Sequence, residues 1–219
     1  MRRRGVGWPP TMDRPMHTDA LTLPDAQRSA LEAAYASPPR AYHDFGHVRE
    51  VLRHYRAVAE GPGWRQPREV QLAVLYHDAV YEAGRGDNET RSAQLAHEHI
   101  ARWLPGAGID IDRVAQLIGL TARHGALRRE DVDAEAALFL DCDMAILGAP
   151  PAVFDAYDKG IEREYRAVVP GWIFRRKRRR FLRALLARER IYLSDFFHAR
   201  LDVPARANLR RVTRRFWHP

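Results

Sequence analysis

The stretch Leu72-Ala73-Val74-Leu75-Tyr76-His77-Asp78 restricts the fold more than any other part of the chain. Val70, Ala73, Val74 and His77 recur at the spacing of one helical face. The run therefore reads as the middle of a buried helix, with His77 on its apolar side. Taking an imidazole and a carboxylate out of water together costs free energy unless something compensates. A hydrogen-bonded core histidine beside a helix-end aspartate is the ordinary solution, because buried polar groups usually find partners. A bound cation is another, since it pairs with the carboxylate and accepts the imidazole lone pair.

Other segments repeat the pattern. Helical spacing begins after Pro24-Asp25, with Asp25 as N-cap, and stops before Pro38-Pro39, which cannot continue a helix. It resumes from Asp44, where His47, Val51, Leu52, Tyr55 and Val58 share a face; His43 lies one turn before and His54 two turns beyond. Gly61-Pro62-Gly63 breaks the chain, Pro67 suits the first position of the third helix, and that helix is expected to run to about Glu82. Asp87 or Asn88 starts a fourth helix, and Asp110 or Asp112 a fifth whose buried face is Val114, Leu117, Ile118 and Thr121. The sixth is centred on Ala136 to Met144 and again carries carboxylates, Asp141 and Asp143, inside an apolar run. Pro150-Pro151 opens a seventh, and two or three more follow Trp172. No stretch alternates apolar and polar residues, so the predicted fold is all-α, a single-domain helical bundle.

Residues 1–18 are rich in Arg, Gly and Pro without periodicity and are expected to form a disordered tail ahead of a domain over 19–219. Two sub-regions stand out: a core of about 40–147 that carries the histidines and aspartates, and basic helices over about 172–217. A chain of 219 residues with 46% hydrophobic content can bury a sizeable core unaided. One cysteine, Cys142, excludes an internal disulfide and fits a reducing compartment. No apolar run reaches the roughly 20 residues that span a bilayer, and Met1-Arg2-Arg3-Arg4 lacks the apolar stretch of a signal peptide. The expectation is a cytoplasmic protein without membrane contact. The net charge of +8 suits an anionic partner through its field.

Collected together, the polar residues on apolar faces are His47, His77, Asp78, and Asp141 or Asp143. Two imidazoles and two carboxylates make an N/O ligand set for one divalent ion such as Mn, Fe, Co, Ni, Zn or Mg. In this the sequence resembles the HD superfamily of metal-dependent phosphohydrolases, whose pattern is H…HD…D on an all-helical scaffold. The match is His47, then His77-Asp78, then an aspartate of the sixth helix, and the interval from His47 to the doublet is typical of the family. It is closest to a small bacterial branch of predicted phosphohydrolases, through Tyr42-His43, Tyr76-His77-Asp78, Asp87-Asn88-Glu89 with Arg91-Ser92-Ala93, Thr121 with His124, and Leu140-Asp141-Cys142-Asp143.

The resemblance implies an HD-type bundle that hydrolyses a small phosphorylated substrate, a nucleotide among the candidates. The family's Ala-Asp-x-Leu segment aligns best on Cys142-Asp143-Met144-Ala145, which favours Asp143 over Asp141 as the last ligand. Asn88 stands where some members carry a further histidine, a departure that argues for a single metal. Glu89 or Glu82 is a candidate to orient or deprotonate the attacking water. Arg91 and Arg123 are candidates to hold phosphate oxygens, and His124 to donate to them.

Arg175-Arg176-Lys177-Arg178-Arg179-Arg180 is the strongest charge run. Six consecutive cations on a helix cover every azimuth, so some must lie on the core side, where their stems can snorkel. The run is either a solvated face or a contact for nucleotide or nucleic-acid phosphates. The alternative to an enzyme is accordingly a nucleotide- or nucleic-acid-binding helical protein with a structural or vestigial metal site.

Overall fold

The computed structural model describes residues 21–38 and 40–215. The proposed 1–18 tail and the last residues of the basic C-terminal region lie outside them. Among the described residues there is no strand, and nine α-helices follow one another: α1 (Asp25–Ala36), α2 (Phe45–Ala59), α3 (Pro67–Tyr76), α4 (Asn88–Trp103), α5 (Ile111–Thr121), α6 (Ala134–Met144), α7 (Pro151–Tyr165), α8 (Gly171–Ala187) and α9 (Asp195–Arg215). One buried cluster runs from Leu31 in α1 to Val212 in α9, so the basic C-terminal helices share the core of the rest.

Local chemistry sets most boundaries. Asp44 caps α2 by accepting from the Gly46 and His47 amides, Asp110 caps α5 through the Arg113 amide, and Asp133 caps α6 through the Ala136 amide. Pro67 and Pro151 open α3 and α7, where an absent N–H costs nothing. Asp25 is not a cap: Pro24 precedes α1, and the Asp25 carboxylate bonds Arg28 instead. The buried face expected of α5, from Val114 to Thr121, is the one observed.

α3 and α6 are the inner helices. α3 is buried at Glu69, Val70 and from Leu72 to Tyr76, and contacts α2, α4 and α5. α6 is buried continuously from Glu135 to Cys142 and lies against α2, α5 and α9.

α3 ends at Tyr76, well short of the expected Glu82. The backbone after it finds partners outside the helix. Arg40 donates to the Asp78 and Ala79 carbonyls. The Ser92 hydroxyl accepts from the Val80 amide and donates to the Val80 carbonyl. The Asn88 side chain does the same for Glu82, at 3.0 Å each way. Peptide groups satisfied by side chains need no further helical turn. The chain therefore leaves α3 with His77 and Asp78 at its mouth.

Candidate metal centre

Three places in the fold converge. His47 lies in the first turn of α2, placed by the Asp44 cap. His77 and Asp78 follow the last turn of α3. Asp143 is in the last turn of α6. The two imidazole Nε2 atoms are 3.0 Å apart. His47 Nε2 is 3.1 Å from Asp143 Oδ1 and 3.6 Å from Asp78 Oδ2. His77 Nε2 is 3.2 Å from Asp78 Oδ2 and 3.7 Å from Asp143 Oδ1. His47, His77 and Asp78 form a group that could hold a metal ion.

These separations pass a simple test of fit. With bonds of about 2.0–2.2 Å, neighbouring ligand atoms lie about 3.0 Å apart around an octahedral ion and about 3.4 Å apart around a tetrahedral one. Three of the five distances, 3.0, 3.1 and 3.2 Å, fall in that range, and the other two, 3.6 and 3.7 Å, lie just beyond it. The histidine tautomer agrees as well. His77 Nδ1 is 2.9 Å from the Val74 carbonyl. A carbonyl can only accept, so Nδ1 carries a proton, and Nε2 is the nitrogen that offers its lone pair once the imidazole is neutral.

Charge is balanced within the cluster. Burial would pull the His77 pKa down, but the Asp78 and Asp143 carboxylates outweigh it and hold it well above the ordinary value. Burial would raise Asp143, but His124, His47 and His77 together hold it well below the carboxylate range. Asp78 is lowered in the same way, mainly by His77 against the cost of burial. His124 Nδ1 approaches Asp143 Oδ2 to 2.8 Å, and Asp143 raises the His124 pKa against burial.

The two aspartates of α6 part company. A helix turns about 100° per residue, so positions two apart point nearly opposite ways. Asp143 reaches the histidines. Asp141 faces the chain entering α9 and accepts from the Leu193 amide (2.8 Å), the Ser194 amide (2.7 Å) and the Ser194 hydroxyl (2.6 Å). Burial pushes its pKa up to about 6 against those bonds. Asp141 is thus a structural anchor, and the alternative that made it a ligand is corrected.

The cluster opens on a cavity of about 270 Å³. Glu89 and His124 line it beside His77 and Asp78, as their proposed roles require. The other expectations fare differently. Glu82 and Arg91 pair with each other at 2.7 Å on the surface, and Arg123 is exposed; none of the three lines the cavity. Asn88 is engaged with the Glu82 backbone, away from the cluster. On the far side, His47 and Asp143 border a larger cleft of about 620 Å³, which Tyr42 and Tyr157 also line.

Several residues at the site escaped the sequence reading. Glu164 of α7 accepts through Oε1 from the amides of Ala41, Tyr42 and His43, at 3.0, 2.8 and 3.0 Å. Its Oε2 lies 2.7 Å from His43 Nδ1. Burial opposes it, but His43 and these amides hold the Glu164 pKa down at about 2. His43 in turn stacks on Tyr81, with centroids 4.0 Å apart. Tyr42 lays its ring between His47 (4.8 Å) and Tyr157 (4.6 Å). Arg178 of α8 reaches the cavity wall. The Tyr42-His43 pair was the one signal in sequence for this group.

No protein-family model, no curated protein and no solved structure matches the chain.

Proposed function

We propose that the chain is a metal-dependent phosphohydrolase that cleaves a phosphate ester, with nucleotides first among the substrates to test, in the reducing compartment that a lone buried Cys142 suits. One observation carries this reading: two imidazole nitrogens and two carboxylates, from α2, the end of α3 and α6, meet at ligand-sphere distances beside a cavity. His47, His77, Asp78 and Asp143 would hold a single divalent ion, and the N/O donor set suits Mn, Fe, Co, Ni, Zn or Mg. When bound, such an ion lowers the pKa of a water and offsets charge on phosphoryl oxygens.

The chain's own residues supply the rest. Val74 fixes the His77 proton on Nδ1 and so leaves Nε2 for the ion. His124 orients Asp143. Glu89, a carboxylate in the same cavity, accepts the proton of the attacking water. The test is a phosphate-release screen over a nucleotide panel with stripped and reconstituted protein. Turnover should require the ion and should fall about 100-fold in Glu89→Gln, a typical loss for a positioned base. Unchanged turnover in that variant removes Glu89 from the role.

A second reading, as a nucleotide- or nucleic-acid-binding protein, is favoured by the outer face of α8. There Trp172 is 62% exposed and shares a surface hollow with Arg175, Arg176, Arg179, Arg180 and Arg183. An exposed indole among guanidinium groups can stack on a base while the cations take phosphates. Salt-sensitive binding of single-stranded RNA, lost in Trp172→Ala, with no hydrolysis under any metal, would favour this reading over the first.

A further inference from the structure

We infer that Arg178 is the oxyanion-binding residue of the cavity, and that it takes a phosphate group of the ligand. This deepens the phosphohydrolase reading and rests on it for the identity of the anion.

Arg178 stands in the middle of the basic run of α8, yet it does not share the fate of its neighbours. Its side chain is only 9% exposed, whereas that of Arg175 is 51% exposed. Its guanidinium lies 5.0 Å from the Tyr157 ring centroid and 5.6 Å from that of Phe181. Nε bonds Asp158 Oδ1 at 2.9 Å. The Tyr157 side chain interacts with the same guanidinium, yet Nη2 is buried with no hydrogen-bond partner of good geometry. Arginine cannot shed its charge, and a buried guanidinium N–H without an acceptor is uncommon and unfavourable.

The place where this side chain is buried is informative, between the site cavity and a second pocket beside Phe174 and Lys177. Arg178 lines the same cavity as His77, Asp78, Asp143 and Glu89. The Tyr42 and Tyr157 rings form a continuous wall between His47 and Arg178. One end of that wall gathers ion ligands, and the other presents a rigid, charged donor. The Asp158 bond and the flanking rings fix the guanidinium plane before any ligand arrives, so little ordering remains to be done on binding. A guanidinium edge and phosphate oxygens form charge-assisted hydrogen bonds of matched geometry. The bound group would sit between Arg178 and the His/Asp cluster.

The experiment is titration of inorganic phosphate into the full chain by calorimetry, in metal-stripped and metal-loaded forms. Wild type, Arg178→Gln and a surface control, Arg28→Gln, are compared, with acetate as a second anion. Loss of a charged hydrogen bond predicts phosphate binding about 10- to 100-fold weaker in Arg178→Gln and unchanged in Arg28→Gln. The stripped wild type should retain Arg178-dependent binding even if no substrate is ever hydrolysed, which separates this inference from the fate of the phosphohydrolase reading. In wild type, the Arg178 Nε–H resonance should shift on adding phosphate, a readout that does not depend on the variant folding. Equal phosphate affinity in wild type and Arg178→Gln, an equal loss in Arg28→Gln, acetate binding as tight as phosphate, or an unmoved Arg178 resonance would each overturn the assignment.

Discussion

Asp141 and Asp143 are two positions apart on one buried helix and serve opposite sides of the molecule. Asp143 completes the histidine cluster, and Asp141 ties α6 to the start of α9. Their variants should therefore dissociate two properties. Asp143→Asn should lose most bound metal, read by elemental analysis, while the bonds of Asp141 to the start of α9 stay in place. Asp141→Ala should keep its metal but lose about 2–4 kcal/mol of stability in urea unfolding, because the Leu193 and Ser194 amides are left without an acceptor. Metal loss in both variants, or in neither, contradicts the division. At this scale the sequence was informative where an ionisable side chain interrupts an apolar stripe, as at His47, His77 and Asp78. It was silent where the partner lies far along the chain. Nothing near Glu164 announces that it holds the amides of residues 41–43, and nothing near Arg40 announces the carbonyls of Asp78 and Ala79.

Helices α1 to α5 and α7 begin close to where proline and aspartate signals place them, because caps act within a few residues and are written locally. The end of α3 falls short of the expected Glu82 for the converse reason: helical spacing continues past Tyr76, but tertiary partners take the backbone. Arg40 is the main one, with bonds to four carbonyls from the end of α1 to the turn after α3. Arg40→Met should destabilise the fold by about 2–4 kcal/mol, since several buried carbonyls lose a charged donor. Its metal affinity should fall as well, because Asp78 is then less well held; unchanged affinity in a destabilised variant would show that the turn does not position the ligand. Glu164 ties α7 to the segment before α2 in a comparable way. Its carboxyl titrates at about 2 in the fold against an ordinary 4.5. A lowered carboxylate pKa contributes stability that is fully present above 4.5 and lost as pH falls toward 2. Acid unfolding followed by circular dichroism should show that loss in wild type and a shallower pH dependence in Glu164→Gln. Parallel profiles would deny Glu164 the role.

One core joins all nine helices, so an ion bridging α2, α3 and α6 would be felt by the whole chain. No single helix among the described residues is long and apolar enough to cross a bilayer, and α6, one of the more apolar helices, is buried in that core. Such an ion would bind only the folded arrangement, so a concentration about 100 times its dissociation constant should add about 2.7 kcal/mol. For a chain of this size that is a rise of about 5–10 °C in melting temperature, reversed by a chelator. The all-helical architecture was legible from periodicity, and the convergence of three helices on one point followed from the polar residues on their apolar faces. The inward turn of Arg178 from a run of six cations was not, because a run that covers every azimuth does not say which member the core will take. The most direct test is an anomalous-difference map from crystals grown with Mn. The account predicts one peak enclosed by His47 Nε2, His77 Nε2, Asp78 and Asp143, at about 2.0–2.2 Å from each ligand atom. A cluster that stays empty at millimolar metal, or a peak held by other side chains, would contradict it.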